Sequence, residues 1–445
     1  MRFLLPLAII LHINFMLFGQ KQEPTIINEI IIEGNDKTHA KILYRELTFK
    51  EGDTIADLSA EISQSKKNLL NTRLFHYAKI NIIRHKHLAN ILIKVQERWY
   101  LWPIPIFEYA DYNLASWVRR KEIDYLNYGI ILEERNFRGL NEKLKLKIRM
   151  GIREQYGINY AFPRLFNHPD IGGNIDLSYF RQKEIHQSII DQQYVDIEKE
   201  HYIFREGRLI AGIRWRPEFF YSHFFYGGFR KYRYHQNIDT LFEEPTKHNL
   251  EYLAIGYTFK FFKGDYIMYP LKGNKLKVTT EYGLGSKDYF FTDLAFSSHY
   301  PVHPKFTLTY GFNGYASLTQ QYPHFLYSGP GKTWYIRGFE DYIYHKDLLI
   351  NNRLQLKYTL LKQKRFNFDW IPSEKFNAPF LSIFLNTFFE AGYGTNINGS
   401  PAEVTPVSIG AGIDFLTYYD WIGRFEVAQN NNNEIFFNIH WGYIF

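Results

Sequence analysis

Ile435-Phe436-Phe437-Asn438-Ile439-His440-Trp441-Gly442-Tyr443-Ile444-Phe445 is the stretch that decides the fold. Side chains on a strand alternate between its faces, so Ile435, Phe437, Ile439, Trp441, Tyr443 and Phe445 share one face. Phe436, Asn438, His440, Gly442 and Ile444 share the other. The first face is wholly apolar and aromatic, and no later segment follows to cover it, so lipid is its expected neighbour. A sandwich strand over a soluble core is the alternative. The same alternation recurs upstream. In Lys143 to Met150, Lys143, Lys145, Lys147 and Arg149 oppose Leu144, Leu146, Ile148 and Met150. A soluble sandwich does not usually sustain this pattern for some 300 residues, whereas a transmembrane antiparallel β-barrel does. At about 20 residues per strand and connection, residues 125–445 predict an even count near 16 strands.

Composition fits a barrel. Aromatic residues make up 18% of the chain and hydrophobic residues 45%, yet mean hydropathy is −0.34. A barrel reconciles these values because its lipid face alternates with a polar lumen. The one long apolar run, Phe3 to Phe18, follows Met1 and Arg2 and precedes Gly19. It is short for a spanning helix and predicts a secretory signal over residues 1–20, with a retained anchor as the alternative. The chain has no cysteine, which excludes a disulfide framework, a thiolate metal site and a lipoprotein acyl anchor. The net charge of +7 is scattered along alternating strands, and no nucleic-acid motif accompanies it. Anionic lipid headgroups or a charged lumen are the expected partners, not nucleic acid.

Residues 24–100 have a different texture. Ile26 to Glu33 reads as a strand, Gly34 and Asn35 turn the chain, and Lys41 to Leu47 carries a helical pattern. Asp57 to Phe75 predicts a second helix, with Leu58, Ile62, Leu69, Leu70 and Leu74 near helical spacing and Thr54 as a candidate cap. Strands at His76 to Arg84 and Ala89 to Gln96 follow, joined by His85-Lys86-His87. The two histidines of that turn lack a third ligand, so no metal site is predicted. This order, together with Glu33-Gly34-Asn35, Thr38 and Asn71-Thr72-Arg73-Leu74-Phe75, resembles a POTRA domain. The resemblance implies a periplasmic α+β module that receives client proteins or chaperones. Residues 101–124, opening Leu101-Trp102-Pro103-Ile104-Pro105-Ile106-Phe107, read as an aromatic, proline-stiffened linker into the barrel.

The long segment Gln320 to Tyr344 is rich in aromatic residues and glycine, and loops of this length in compact proteins are usually functional. Its Gly329-Pro330-Gly331-Lys332-Thr333 fails as a phosphate loop, because Leu326 stands where a glycine is required. Its Ile336-Arg337-Gly338-Phe339 resembles the Arg-Gly-Phe/Tyr signature of the BamA/TamA superfamily of outer-membrane assembly barrels. The resemblance implies an extracellular loop folded back into the lumen, with Gly338 at a tight tip, Phe339 wedged on the wall and Arg337 meeting an acid. Parity along Leu381 to Tyr393 turns Ser382, Asn386, Glu390 and Gly392 inward. Phe388-Phe389-Glu390-Ala391-Gly392 matches the superfamily strand that receives the loop arginine. Asp414, inward with Ser408, Gly410 and Gly412, is the second candidate acid. Arg353 stands where the superfamily often carries an acidic residue, which removes an acidic contact from that strand.

Tyr128-Gly129-Ile130 through Asn136-Phe137-Arg138-Gly139 resembles the first barrel strand and its turn. The closing seam is therefore expected between Tyr128 and Gly129 on one side and Phe437, Ile439, Trp441, Tyr443 and Phe445 on the other. No Gly-x-Ser-x-Gly or His-Glu-x-x-His pattern occurs, and neither an enzyme nor a cofactor is predicted. The expected function is assembly of outer-membrane proteins through the small domain and a lateral seam, in contact with outer-membrane lipids, periplasmic clients or chaperones, and accessory assembly proteins. Secretion through the lumen, as in two-partner secretion transporters, and a passive diffusion porin are the competing readings.

Overall fold

A computed structural model describes residues 24–109, 126–165, 168–190, 193–198, 201–234, 249–286, 288–318, 336–340, 342, 344, 346–373, 375–397 and 403–441. The expected signal, and Tyr443 and Phe445 of the terminal strand, lie outside these residues. The amino-terminal unit runs β1 (Thr25–Glu33), α1 (Ala40–Glu46), β2 (Thr54–Ile55), α2 (Leu58–Asn71), β3 (Phe75–His85) and β4 (Leu88–Glu97). Its sheet has the order β2-β1-β4-β3, with β1 and β4 parallel. Ile27, Ile91 and Ile93 from the sheet and Leu43, Leu58 and Leu69 from the helices form one buried core. The cap of α2 is Asp57, whose side chain accepts from Ala60 N at 3.0 Å, not Thr54, which lies in β2. The helix stops at Asn71, short of Phe75, because Arg73 adopts a left-handed φ of 65° and breaks the helical path.

The barrel sheet follows with β5 (Leu101–Tyr109), β6 (Leu126–Phe137), β7 (Glu142–Met150), β8 (Arg153–Phe162) and β9 (Ile171–Gln182). A side hairpin, β10 (Glu184–Ile190) and β11 (Gln193–Glu198), stands apart from it. The remaining strands are β12 (Phe204–Trp215), β13 (Tyr221–Tyr234), β14 (Asn249–Gly264), β15 (Gly273–Gly285), β16 (Tyr289–His303), β17 (Phe306–Ser317), β18 (Leu348–Arg365), β19 (Phe380–Thr395), β20 (Val407–Thr417), β21 (Trp421–Asn430) and β22 (Ile435–Trp441). Sixteen strands pair in an up-and-down antiparallel sheet from β5 to β22. Residues 101–109 are therefore not a linker: they form the first strand, paired with β6 from Leu101↔Glu134 to Tyr109↔Leu126. Two prolines are tolerated there because an edge strand has one side without a ladder to disrupt. The strand carrying Tyr128 and Gly129 is consequently second in the sheet, flanked by β5 and β7, and does not form the seam.

Period-two alternation separates an apolar outside from a polar inside. Phe437 is 79% exposed and Ile255 63%, whereas Glu390, on an inward position, is 0% exposed. A continuous exposed apolar surface of this extent is what a bilayer covers. The β7 register places Leu146 beside Leu132 and Ile148 beside Ile130 on that surface, and turns Lys143, Lys145, Lys147 and Arg149 to the lumen.

The small domain seats on the turns at one mouth of the barrel. Asp420, in the β20–β21 turn, is 1% exposed and accepts from Arg98 Nη1 at 2.7 Å, Arg98 Nη2 at 3.2 Å and Arg73 Nε at 2.9 Å. Tyr266 OH also donates to it. Tyr419 Oη accepts from Trp99 N at 3.1 Å, and His76 stacks on Tyr418 with ring centroids 4.2 Å apart. On the opposite side of the mouth, Arg216 makes a two-pronged contact with Glu46 at 2.7 and 2.9 Å. These charge-assisted bonds fix orientation as well as proximity.

Burial at this joint, with the Arg98 guanidinium beside it, pushes the His76 imidazole down to about 3. Arg365 adds to the depression, while Asp420 and the Lys375 carbonyl oppose it. Between that value and about 6.5 the undocked, unfolded state binds more protons, so stability rises with pH across the window and is lost as pH falls below about 6.5. Acidification from pH 7.5 to 5 should therefore expose the small domain to protease, at a cost of at most about 1.4 kcal/mol per pH unit. His76→Phe, which keeps the ring stack, should flatten that dependence; an unchanged profile in this variant contradicts the assignment.

Candidate functional site

The inward side chains of β18 to β21 build a charged pocket at mid-wall. Register pairs Arg353 with Glu390, Glu390 with Ser408 and Gly412 with Glu426. Into it comes Arg337 from the β17–β18 loop. Its Nε donates to Glu390 Oε1 at 2.6 Å, its backbone N to Glu390 Oε2 at 3.2 Å and its Nη1 to Glu426 Oε1 at 2.7 Å. The guanidinium also lies over the Phe388 ring, 3.4 Å from the centroid. Arg337 is 6% exposed and both carboxylate side chains are fully buried. Arg353 Nε approaches Glu390 Oε2 at 3.4 Å, so two guanidiniums and two carboxylates balance in one desolvated cluster.

Glycines make room for the loop. Gly338 has φ +87° and rests on the wall, where an added Cβ would lie 3.3 Å from Ala428 Cβ and 3.4 Å from Ser408 Cβ. Its carbonyl accepts from Asn430 Nδ2 at 2.8 Å, and its N–H donates to Glu340 at 2.9 Å. A Cβ at Gly392 would stand 2.4 Å from Ile336 Cδ1, so a larger residue there would force the Ile336 side chain to shift. Ile336 and Phe339 are buried with Leu349, and Phe339 meets Tyr342 edge-on at 5.4 Å. Glu340 in turn accepts from Asn438 of β22, which joins the loop to the last strand.

Of the two acids singled out from sequence, Glu390 touches Arg337 and Asp414 does not. Asp414 pairs with Phe384 in register, three inward positions from Glu390, or roughly 20 Å along the strand. It instead accepts from Tyr269 OH and from Asn386 Nδ2 at 3.0 Å, with Arg424 Nε 3.5 Å away. The second carboxylate of the cluster is Glu426. Parity in Trp421-Ile422-Gly423-Arg424-Phe425-Glu426-Val427-Ala428 points it inward with Arg424. Tyr128 lies on the lipid face, 49% exposed, as do Phe437 and Ile439.

Toward the small domain the lumen opens into a cavity of about 640 Å³. Among the described residues its charged lining is Lys143, Arg214, Arg216, Lys260, Lys275 and Lys277 against the single carboxylate of Glu46, which Arg216 binds. Lys260 stands directly across from Lys277 in the ladder, an arrangement that costs stability unless anions screen it.

Residues 25–98 match the POTRA family, described as surface antigen variable number repeat. The small unit is a POTRA domain. Over the whole chain the fold is similar to BamA from Haemophilus ducreyi lacking POTRA domains 1-3, at 13% identity and TM-score 0.53, with 94% of this chain and 84% of that one covered. It is also similar to CdiB from Acinetobacter baumannii, at 13% identity and TM-score 0.50, with 94% and 73% covered. CdiB from Escherichia coli matches at 12% identity and TM-score 0.53, with 94% and 75% covered. These likenesses establish the fold: a transmembrane barrel with a POTRA domain. No curated protein matches the sequence. The POTRA domain thus borders the basic cavity, and Ile336 to Glu340 are held against the barrel's inner wall.

Two predictions follow from the lumenal charges. Arg337→Ala leaves Glu390 and Glu426 facing one another with Arg353 alone, and should destabilise the barrel by about 3 kcal/mol. Adding Glu426→Gln to Arg337→Ala should recover part of that loss, because it removes an uncompensated charge. Thermal unfolding followed by gel mobility reads both, and strictly additive losses contradict a shared cluster. In planar bilayers under a salt gradient, any residual conductance should favour anions. Lys260→Glu with Lys277→Glu should shift the reversal potential toward cations; an unmoved potential places these lysines off the ion path.

Proposed function

We propose that this chain is an outer-membrane assembly barrel whose POTRA domain, lying in the periplasm, presents client proteins to a lateral seam between β5 and β22. The observations that carry the reading are two sets of buried charge pairs, one holding a loop segment against the inner wall and one holding the POTRA domain at the mouth. At mid-wall, Arg337 is tied to Glu390 and Glu426, and at one mouth Asp420 and Glu46 are tied to Arg98, Arg73 and Arg216. Buried, bidentate charge pairs are costly to break, so the wall's weakest line is where strand pairing is least complete. A passive porin needs neither set of contacts. Among the described residues no ladder joins β5 to β22, and both strands offer a free edge. Edge strands are templates for strand addition, which is the chemistry that membrane insertion of a β-protein requires.

Secretion through the lumen is the reading to separate from this one, since the fold is similar to CdiB as well as BamA. The chain lacks cysteine, so an engineered pair reports cleanly. Ile106→Cys combined in turn with Phe436→Cys, Asn438→Cys or His440→Cys places two inward thiols across the seam. One of these pairs should form a disulfide, leave the barrel inserted and heat-stable, and abolish client assembly. Full activity with the seam locked rejects lateral opening and favours passage through the lumen.

A further inference from the structure

One strand pair outruns the wall. The β17–β18 ladder ends at Phe306↔Tyr358, and the β19–β20 ladder begins at Leu381↔Thr417. Between those points β18 and β19 pair with each other alone, through Lys364↔Leu381 and Arg365↔Phe380. Backbone bonds from Phe366 N to Pro379 O at 2.9 Å and from Phe368 N to Asn377 O at 2.7 Å carry the hairpin further. Residues 360–379 therefore project past the rim on the side that bears the POTRA domain. Their return arm is fixed there: Tyr419 OH donates to the Lys375 carbonyl at 2.8 Å, and the Phe376 ring lies 6.0 Å from that of Trp99 and 5.5 Å from that of Tyr419.

The outgoing arm is open and has one regular face. Within the wall the lipid-facing row of β18 is aliphatic, with Leu354 and Leu356 beside Leu385 and Phe389 of β19. Register shifts around Leu361, with Gln363 at a left-handed φ of 42°, rephase the strand so that Lys364 stands opposite Leu381 and shares its outward parity. Counting by two from Lys364 gives Phe366, Phe368 and Trp370. Their rings make one row: Phe366 and Phe368 stack with centroids 6.5 Å apart, Phe368 and Trp370 are 6.1 Å apart, and Lys364 Nζ lies 5.7 Å over Phe366. Every residue from 362 to 370 is exposed, and Trp370, at 79%, is as open as Phe437 on the lipid face. Lys362, Lys364 and Arg365 flank the row against the single carboxylate of Asp369.

Aliphatic side chains thus give way to rings and cations as the row leaves the wall, which is the change in chemistry from hydrocarbon to headgroup layer. Continuity with the lipid face selects lipid as the occupant, and the excess of cations selects its anionic headgroups. We propose that residues 360–370 form a headgroup-binding finger for anionic phospholipid in the leaflet on the POTRA side. Phe366, Phe368 and Trp370 enter the interface, and Lys362, Lys364 and Arg365 meet the phosphates. Because the return arm is bonded at the POTRA joint, lipid held by the finger fixes the height of that joint over the bilayer. The site is independent of whether the barrel assembles or secretes its clients.

A fluorophore at the finger tests it. The full chain carries a polarity-sensitive dye on Asn367→Cys, its only thiol, and is reconstituted in vesicles of phosphatidylcholine with or without phosphatidylglycerol. Quenching by a lipid-borne nitroxide should be at least threefold stronger with phosphatidylglycerol, and high salt should remove the difference. Lys362→Glu with Lys364→Glu and Arg365→Glu should abolish the difference while the barrel stays heat-stable. Phe366→Ser with Phe368→Ser and Trp370→Ser should abolish quenching in both lipids. Equal quenching in the two lipids, or a difference that survives charge reversal, reduces the finger to an ordinary aromatic rim and overturns the proposal. A dye shielded only when periplasmic extract is added, and not by lipid, overturns it in favour of a protein partner.

Discussion

A guanidinium removed from water must be balanced by charge, and around Arg337 that requirement organises much of the barrel wall. Glu390 comes from β19, Glu426 from β21 and Arg353 from β18, so the cluster ties three strands and a loop at one height. Removing water from four charges is costly, and that cost is offset only while every partner is present with good geometry. The loop is thereby held in one arrangement. Gly338 matters because its φ of +87° is one that a side chain strains, and Gly392 because it leaves room for the Ile336 side chain.

The same rule operates at the POTRA joint with different parts. Asp420 sits on a turn whose two residues Tyr419 and Asp420 have left-handed φ angles of 61° and 66°. That backbone is unfavourable for both residue types, and it persists because Arg98, Arg73 and Tyr266 surround the carboxylate it presents. The domain is thus joined to the barrel by directed bonds to turns at opposite sides of the mouth, and by the rings of His76, Trp99 and Trp102 packed against Phe376, Tyr418 and Tyr419. Such a joint resists sliding but remains sensitive to the charge state of its members, His76 among them.

Much of this was legible in sequence because parity is a strong signal. The inward placement of Glu390 and the lipid-facing row of the last strand both follow from counting by two, and the strand total near 16 follows from length. The failures have equally definite causes. In sequence, Leu101 to Tyr109 reads as a proline-stiffened aromatic linker, and only pairing on one side alone admits those prolines to a strand. Asp414 stands as a second candidate acid in sequence because parity gives the face of a residue but not its height along the barrel. Glu426 carried the same parity signal as Glu390 and lacked only a motif to draw attention to it. Asp420 had no local signal at all: its partners Arg73 and Arg98 are more than 300 residues away in sequence, separations of 347 and 322.

The misread prolines bear on mechanism. Among the described residues, polar and charged contacts tie the barrel at the cluster around Arg337, at Asp414 through Tyr269 and Arg424, and at the POTRA joint. At the seam the opposite holds, since two of five backbone positions on the β5 edge donate no hydrogen bond. A wall that is strong across the lumen and weak along one line yields only along that line.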